Sequence, residues 1–149
     1  MTAGVAAGPA ASPGFLLWRT TLSWQRSITA ALRPLELTHV QFVLLASTWW
    51  LATHDADGGL PSQRQVADHA AADVMMSSQV LRALERRGLL TRGPDPADAR
   101  VKRLDVTTAG ATLAQRAIAV VEAADAAFFG RSADPDRLLA VLRELGEPD

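Results

Sequence analysis

Apolar residues along this chain recur mostly at helical spacing. Leu17, Thr21, Trp24, Ile28 and Ala31 fall on one stripe of a segment, residues 15–33, that holds no internal Gly or Pro and stops at Pro34. Phe15, Trp18 and Leu22 widen that stripe beyond one face. A helix apolar over more than one face must be covered from more than one side, which points to a partner chain as well as its own core. The next apolar run, residues 42–52, is too short to span a bilayer and reads as a buried helix.

Polar residues mark where these helices begin. Thr38-His39-Val40-Gln41 is a capping box, in which the threonine hydroxyl takes the third amide and the glutamine reaches back. It opens a helix to about Thr53. Residues 54–59, HDADGG, form a loop. Ser62-Gln63-Arg64-Gln65 is a second capping box, opening a short helix to about His69. Asp73 is placed to N-cap a third helix over 74–87, with Val80, Leu81 and Leu84 inward and Gly88 closing it. Residues 89–92 and 100–106 then read as two short strands around a seven-residue turn at 93–99, with Leu104 and Val106 inward. Thr107 and Thr108 cap a long helix over about 109–129, which Gly130 ends. Asp134 with Pro135 starts a last helix to Leu145.

Helix–turn–helix followed at once by a β-hairpin is a winged helix. The predicted fold is mainly α with a small β-hairpin: a winged helix-turn-helix with N- and C-terminal dimerisation helices. The lobe is expected over 38–108 and the dimerisation helices over 15–33 and 109–146. Residues 1–14, MTAGVAAGPAASPG, lack the basic start and apolar run of a signal peptide and read as a disordered tail, leaving 15–149 as one domain.

Composition narrows the chemistry. With no cysteine, disulfides, thiolate metal sites and cysteine nucleophiles are excluded. The net charge of −1 is unevenly spread: residues 62–106 carry eight Arg or Lys against six acids, and the remainder is at −3. A local polyanion-binding face is allowed by that imbalance, though not established by it. No glycine-rich phosphate loop or nucleophile elbow is present, so the chain is not read as an enzyme and no cofactor is expected. His39, His54 and His69, with Asp55 and Asp57, match no compact zinc motif.

On these elements the sequence resembles the multiple-antibiotic-resistance regulator (MarR) family of bacterial transcription factors. The resemblance rests on LTHVQFVLLA at 37–46, SSQVLRALERRGLLTR at 77–92 and DARVKRLDVTTAG at 98–110, the last matching the family's wing pattern of D-x-R, an apolar strand and T-x-x-G. It covers roughly residues 15–129. It implies a cytoplasmic, homodimeric regulator of double-stranded DNA, most often a repressor, acting at a pseudo-palindromic operator and released by a small aromatic or phenolic ligand. Ser77 stands where the family more often has an apolar residue. Met75 and Met76 stand where polar ones are commoner.

The expected DNA face follows from groove geometry. A recognition helix enters the major groove with its N-terminal residues at base edges. Ser77, Ser78, Gln79, Arg82 and Arg86 are its candidates, and Arg64 is placed to meet a phosphate. A hairpin tip suits a minor groove, where arginine is attracted. The resemblance assigns that role to Arg100. Asp98 holds the guanidinium, the prolines at 94 and 96 stiffen the turn, and Lys102 and Arg103 read equally as phosphate contacts or solvated charges.

For an effector the candidates are Trp18, Trp24, Arg26, His39, Phe42 and Trp49, an apolar lining with His39 or Arg26 as polar anchor. The same aromatics also read as core and interface. The competing function is a winged-helix module without ligand control, acting as an architectural DNA-binding or protein-interaction protein.

Overall fold

The computed structural model describes residues 8–55 and 58–146. The element order is α1 (Pro13–Leu32), α2 (His39–His54), α3 (Gln63–His69), α4 (Val74–Arg86), β1 (Leu90–Pro94), β2 (Lys102–Val106), α5 (Thr108–Phe129) and α6 (Pro135–Gly146). Short 3-10 turns at Pro9–Ala11 and Arg33–Leu35 flank α1. The tail expected over 1–14 is therefore already turned at Pro9 and helical from Pro13, and its first seven residues lie outside the described ones.

Two compact units divide the chain: Met1–Ala31 with Val121–Asp149, and Leu32–Val120. The second holds the helix-turn-helix and the hairpin. Its boundary on the C-terminal side falls inside α5.

In this second unit, local polar chemistry starts each helix. The Thr38 and Ser62 side chains each accept the amide three residues on, and Gln41 and Gln65 accept the amides of Thr38 and Ser62 in return. Asp73 accepts the Met76 amide at 2.8 Å and so caps α4. Gly88 at φ 73 carries the chain out of α4 through the left-handed conformation that glycine adopts without strain.

α2 is the central element, packed against α3, α4 and β2, and α4 also meets β1. Leu44 and Leu45 of α2, Val66 of α3, Leu81 and Leu84 of α4, Leu90 of β1 and Leu104 of β2 form a core without solvent contact, apart from 1% at Leu90. The strands pair antiparallel with Leu90 opposite Val106 and Arg92 opposite Leu104. β1 runs two residues further than expected because the Asp95 amide donates to the Val101 carbonyl at 2.8 Å and closes the hairpin further out. Arg100 consequently lies inside the tip loop, not on the return strand.

The T-x-x-G motif joins hairpin to helix. Thr107 Oγ1 accepts the Gly110 amide at 3.0 Å and donates to the Gly88 carbonyl at 2.7 Å, and the Thr107 amide donates to the Leu89 carbonyl. Gly110 is buried where a Cβ would overlap the Leu89 carbonyl oxygen. Only glycine lets α5 begin this close to the end of α4.

The first unit comprises most of α1, the last turns of α5, and α6. Trp24 Nε1 donates to Asp125 Oδ1 at 2.7 Å, and the Trp24 and Phe129 rings lie 6.5 Å apart. Phe15, Leu16, Leu17, Trp18 and Leu22 on α1 remain exposed, as do Leu139, Val141, Leu142 and Leu145 on α6.

Candidate nucleic-acid interface

α4 separates its inner and outer faces cleanly. Ser77, Leu81 and Leu84, spaced i, i+4, i+7, are fully buried. Gln79, Arg82 and Arg86 are exposed and Ser78 is half-buried. Ser77, a candidate for a base contact, is therefore turned away from the outward face. The stripe that carries Leu81 and Leu84 passes through position 77, and the Ser77 hydroxyl is buried with no hydrogen-bond partner among the described residues. Val80, expected on the inner face, lies at its edge and is only half-buried. The first turn presents Val74, Met75 and Met76 to solvent, Met75 most of all at 76%. On α3, Arg64 is exposed just inside the capping box.

The wing tip is built by two aspartates. Asp95 Oδ1 accepts the Ala97 amide at 2.7 Å and the Asp98 amide at 3.2 Å, an Asx turn that rounds the tip. Asp98 Oδ1 accepts both the Arg100 amide and Arg100 Nε at 3.1 Å, and its Oδ2 accepts Nη2 at 3.2 Å. This paired geometry holds the guanidinium plane while leaving the side chain 90% exposed. Both carboxyls are held below the usual aspartate value. For Asp95 the largest cause is the Arg103 hydrogen bond, followed by the Ala97 amide; for Asp98 it is the Arg100 side chain, followed by the Arg100 amide.

Lys102 is exposed on β2, but Arg103 is half-buried and is not a free surface cation. Its Nε donates to Asp95 Oδ2 at 2.5 Å and its Nη1 to the Leu60 carbonyl at 3.1 Å. Along β2, Lys102 shares its face with the buried Leu104 but stays exposed nearer the tip, whereas Arg103, on the opposite face, is partly covered by its bonds to Asp95 and Leu60. Arg92 is likewise spent inside the lobe, on Gln63 at 3.0 Å and Glu85 at 3.4 Å. Asp95 escaped the sequence reading, although Asp followed by Pro, two residues before a second Ala-Asp step, carries the signal of a side chain that caps its own turn.

The effector candidates divide between the units: Trp18, Trp24 and Arg26 in the first, His39, Phe42 and Trp49 in the second. Trp18 is 64% exposed and Arg26 is exposed, while Trp24 is half-buried and already bonded to Asp125. A groove of about 990 Å³ within the first unit is lined by Trp24, Phe128, Phe129 and Leu142, with Arg19 and Arg131 among its polar groups. Of the six candidates only Trp24 lines it. Among the described residues no three His, Asp or Glu side chains gather as a metal site; Asp57 lies outside them.

A recognition helix, a short preceding helix and an arginine-tipped hairpin on one lobe are the parts of a DNA-reading winged helix. No family model matches the chain. It is 41% identical over 138 residues to the helix-turn-helix-type transcriptional regulator YdcH of Bacillus subtilis, covering 93% of this chain and 92% of that one. It is 35% identical over 135 residues to the transcriptional repressor Rv2887 of Mycobacterium tuberculosis, covering 89% and 92%. The crystal structure of Rv2887, a MarR family protein, superposes with a TM-score of 0.65 at 31% identity, over 93% of this chain and 96% of that one. The chain belongs to the MarR family. As a MarR-family protein it is a sequence-specific, DNA-binding transcriptional regulator. Another relative, CouR from Rhodococcus jostii RHA1, has 30% identity and a TM-score of 0.76 over 93% of this chain and 91% of that one; its structure holds p-coumaroyl-CoA. Rv2887 has also been solved in complex with salicylic acid, with a TM-score of 0.67 at 33% identity over 91% of this chain and 96% of that one. No described helix is long and apolar enough to cross a membrane.

Proposed function

We propose that this MarR-family chain is a cytoplasmic, non-enzymatic, homodimeric repressor that a small aromatic acid releases from its operator. The observation that carries the DNA reading is a doubly hydrogen-bonded but solvent-exposed guanidinium, Arg100, on the same lobe as the exposed face of α4. Arg100 enters a minor groove, where narrowed A·T-rich stretches concentrate negative potential. Ser78, Gln79 and Arg82 face base edges in the major groove, and Met75 offers an apolar contact for a thymine methyl. Arg64, Arg86 and Lys102 meet phosphates, which position the protein without reading sequence. Asp98 acts through Arg100. The dimer reading is supported by the apolar side chains exposed along α1 and α6, more than a monomer ordinarily leaves in water. The aromatic-acid reading is supported by the salicylic acid bound to Rv2887 and, within the first unit, by the groove that Trp24, Phe128 and Phe129 line with Arg19 and Arg131.

Footprinting on selected DNA tests this. A pseudo-palindrome with half-sites about one helical turn apart is expected, with protection relieved by salicylate. Uniform coating without preference would instead indicate an architectural protein, and absence of binding a protein-contact module. In gel-shift titrations, Arg100→Ala should retain fold and dimer while weakening operator binding by about 1–3 kcal/mol; unchanged affinity would remove Arg100 from the interface.

A further inference from the structure

The wing of a winged helix is a two-stranded hairpin, and such a hairpin is marginal on its own. Here it is tied back to the segment that opens α3. The Leu104 amide donates to the Pro61 carbonyl at 2.9 Å, and Ser62 forms an isolated bridge with Arg103. The Arg103 side chain extends the same tie. Its Nη1 reaches the Leu60 carbonyl at 3.1 Å and Gln65 Oε1 at 3.4 Å, and its Nε reaches Asp95 Oδ2 at 2.5 Å. These partners stand on the two walls of a cleft of about 710 Å³ between the segment before α3 and the wing, so one guanidinium spans it.

Asp95 passes the connection to the tip. While Oδ2 holds Arg103, Oδ1 holds the Ala97 and Asp98 amides, and Asp98 in turn holds Arg100. A continuous run of polar contacts therefore leads from the α3 N-terminus through Arg103, Asp95 and Asp98 to the exposed cation. Side-chain exposure falls from 90% at Arg100 to 34% at Arg103 and 13% at Asp95, the order expected of one reader and two supports.

We propose that Arg103 and Asp95 are positioning residues that latch the wing tip to the helix-turn-helix and present Arg100 to DNA in a preset orientation. This rests on the reading of Arg100 as a DNA contact. Ordering the tip before binding removes an entropy cost that a loose loop would meet on the DNA. The latch needs a planar fork with donors in two directions, which arginine has and lysine lacks.

The test is an anisotropy titration of the full chain on a duplex selected from random-sequence DNA. It compares wild type with Asp95→Asn, Arg103→Gln, Arg103→Lys and Arg100→Ala, and with Asp95→Asn combined with Arg100→Ala. Circular dichroism and stoichiometric titration fix the active fraction of each. Asp95→Asn removes a negative charge near a polyanion, so electrostatics alone would tighten binding. The latch predicts about five-fold weakening instead, the lower end of the loss of one direct contact. It predicts less than about two-fold further loss from Asp95→Asn in the Arg100→Ala background, because there is no reader left to position. Arg103→Lys should weaken binding although it keeps the charge. Arg103→Gln should leave the salt dependence unchanged, whereas loss of a phosphate contact would reduce its logarithmic slope by about one. Unchanged or tighter binding by Asp95→Asn, a reduced slope in Arg103→Gln, full affinity in Arg103→Lys, or additive loss in the double variant would each overturn the latch while Arg100→Ala still weakens binding. Unchanged binding by Arg100→Ala would overturn the wing reading and the latch together.

Discussion

Ser77 shows how one residue can be misplaced by its chemistry. A serine near the start of a recognition helix invites a base contact, yet its position in the 77, 81, 84 series turns it into the core, where its hydroxyl is unpartnered. A buried, unsatisfied hydroxyl carries a desolvation penalty of about 1–3 kcal/mol. Ser77→Ala should therefore be neutral or stabilising by up to about 1 kcal/mol, the gain being partly offset by the small void left. Thermal unfolding would show an unchanged or raised Tm. A clear loss of stability would mean that the hydroxyl has a partner. Arg103 is the converse case. Its composition matches Lys102 and Arg100 beside it, but its donors are spent within the lobe.

Among the elements, the junction of α4, the hairpin and α5 leaves no room for a side chain at Gly110. Gly110→Ala would drive a methyl into the Leu89 carbonyl and push α5 away from the Thr107 cap. Such overpacking costs about 1–3 kcal/mol, measurable as a lower urea midpoint with little change in slope. The wing itself should respond to acid in one direction. The carboxyls of Asp95 and Asp98 are held below the ordinary value of 3.8 by their arginines and by backbone amides. The folded wing therefore binds fewer protons than the unfolded chain in that range, and stability rises with pH there. The contribution is fully present above about 3.8 and is lost as pH falls through the depressed values. Wing amide resonances should be constant from pH 7 to 5 and shift only in stronger acid. A transition near neutrality would assign control of the wing to another group. Both caps of the helix-turn-helix were legible from the chain because a capping box is a local pattern of four residues. The wing's edges were not, because the closing bond between Asp95 and Val101 depends on how two strands meet.

For the whole molecule, the proposed dimer makes a direct demand on the exposed apolar surfaces of α1 and α6. Trp18 and Leu145 are 64% and 77% exposed in one chain. If these surfaces meet a second copy, Trp18→Glu with Leu145→Glu would bury unpaired carboxylates, at a cost that paired apolar surfaces cannot offset. Light scattering should then report a monomer, with operator affinity sharply reduced and far-UV circular dichroism largely kept. A variant that remains dimeric would place the interface elsewhere.

Local patterns, set by neighbours a few residues apart, determined the starts of α2, α3 and α4, the Gly88 exit, the winged-helix order and the Asp98–Arg100 step, since each of these is a short-range hydrogen-bonding or periodic arrangement. The near-neutral net charge, by contrast, said little, because it counts cations without saying which are already spent. Only the tertiary structure decided that Arg92 and Arg103 are spent within the lobe and that Arg100 and Lys102 are left to solvent. Those assignments depend on partners such as Leu60, Gln63 and Glu85, which the chain brings to the wing from other elements. A cation's availability is settled by how far groups from other elements cover it after folding, and that is not written in its neighbours along the chain.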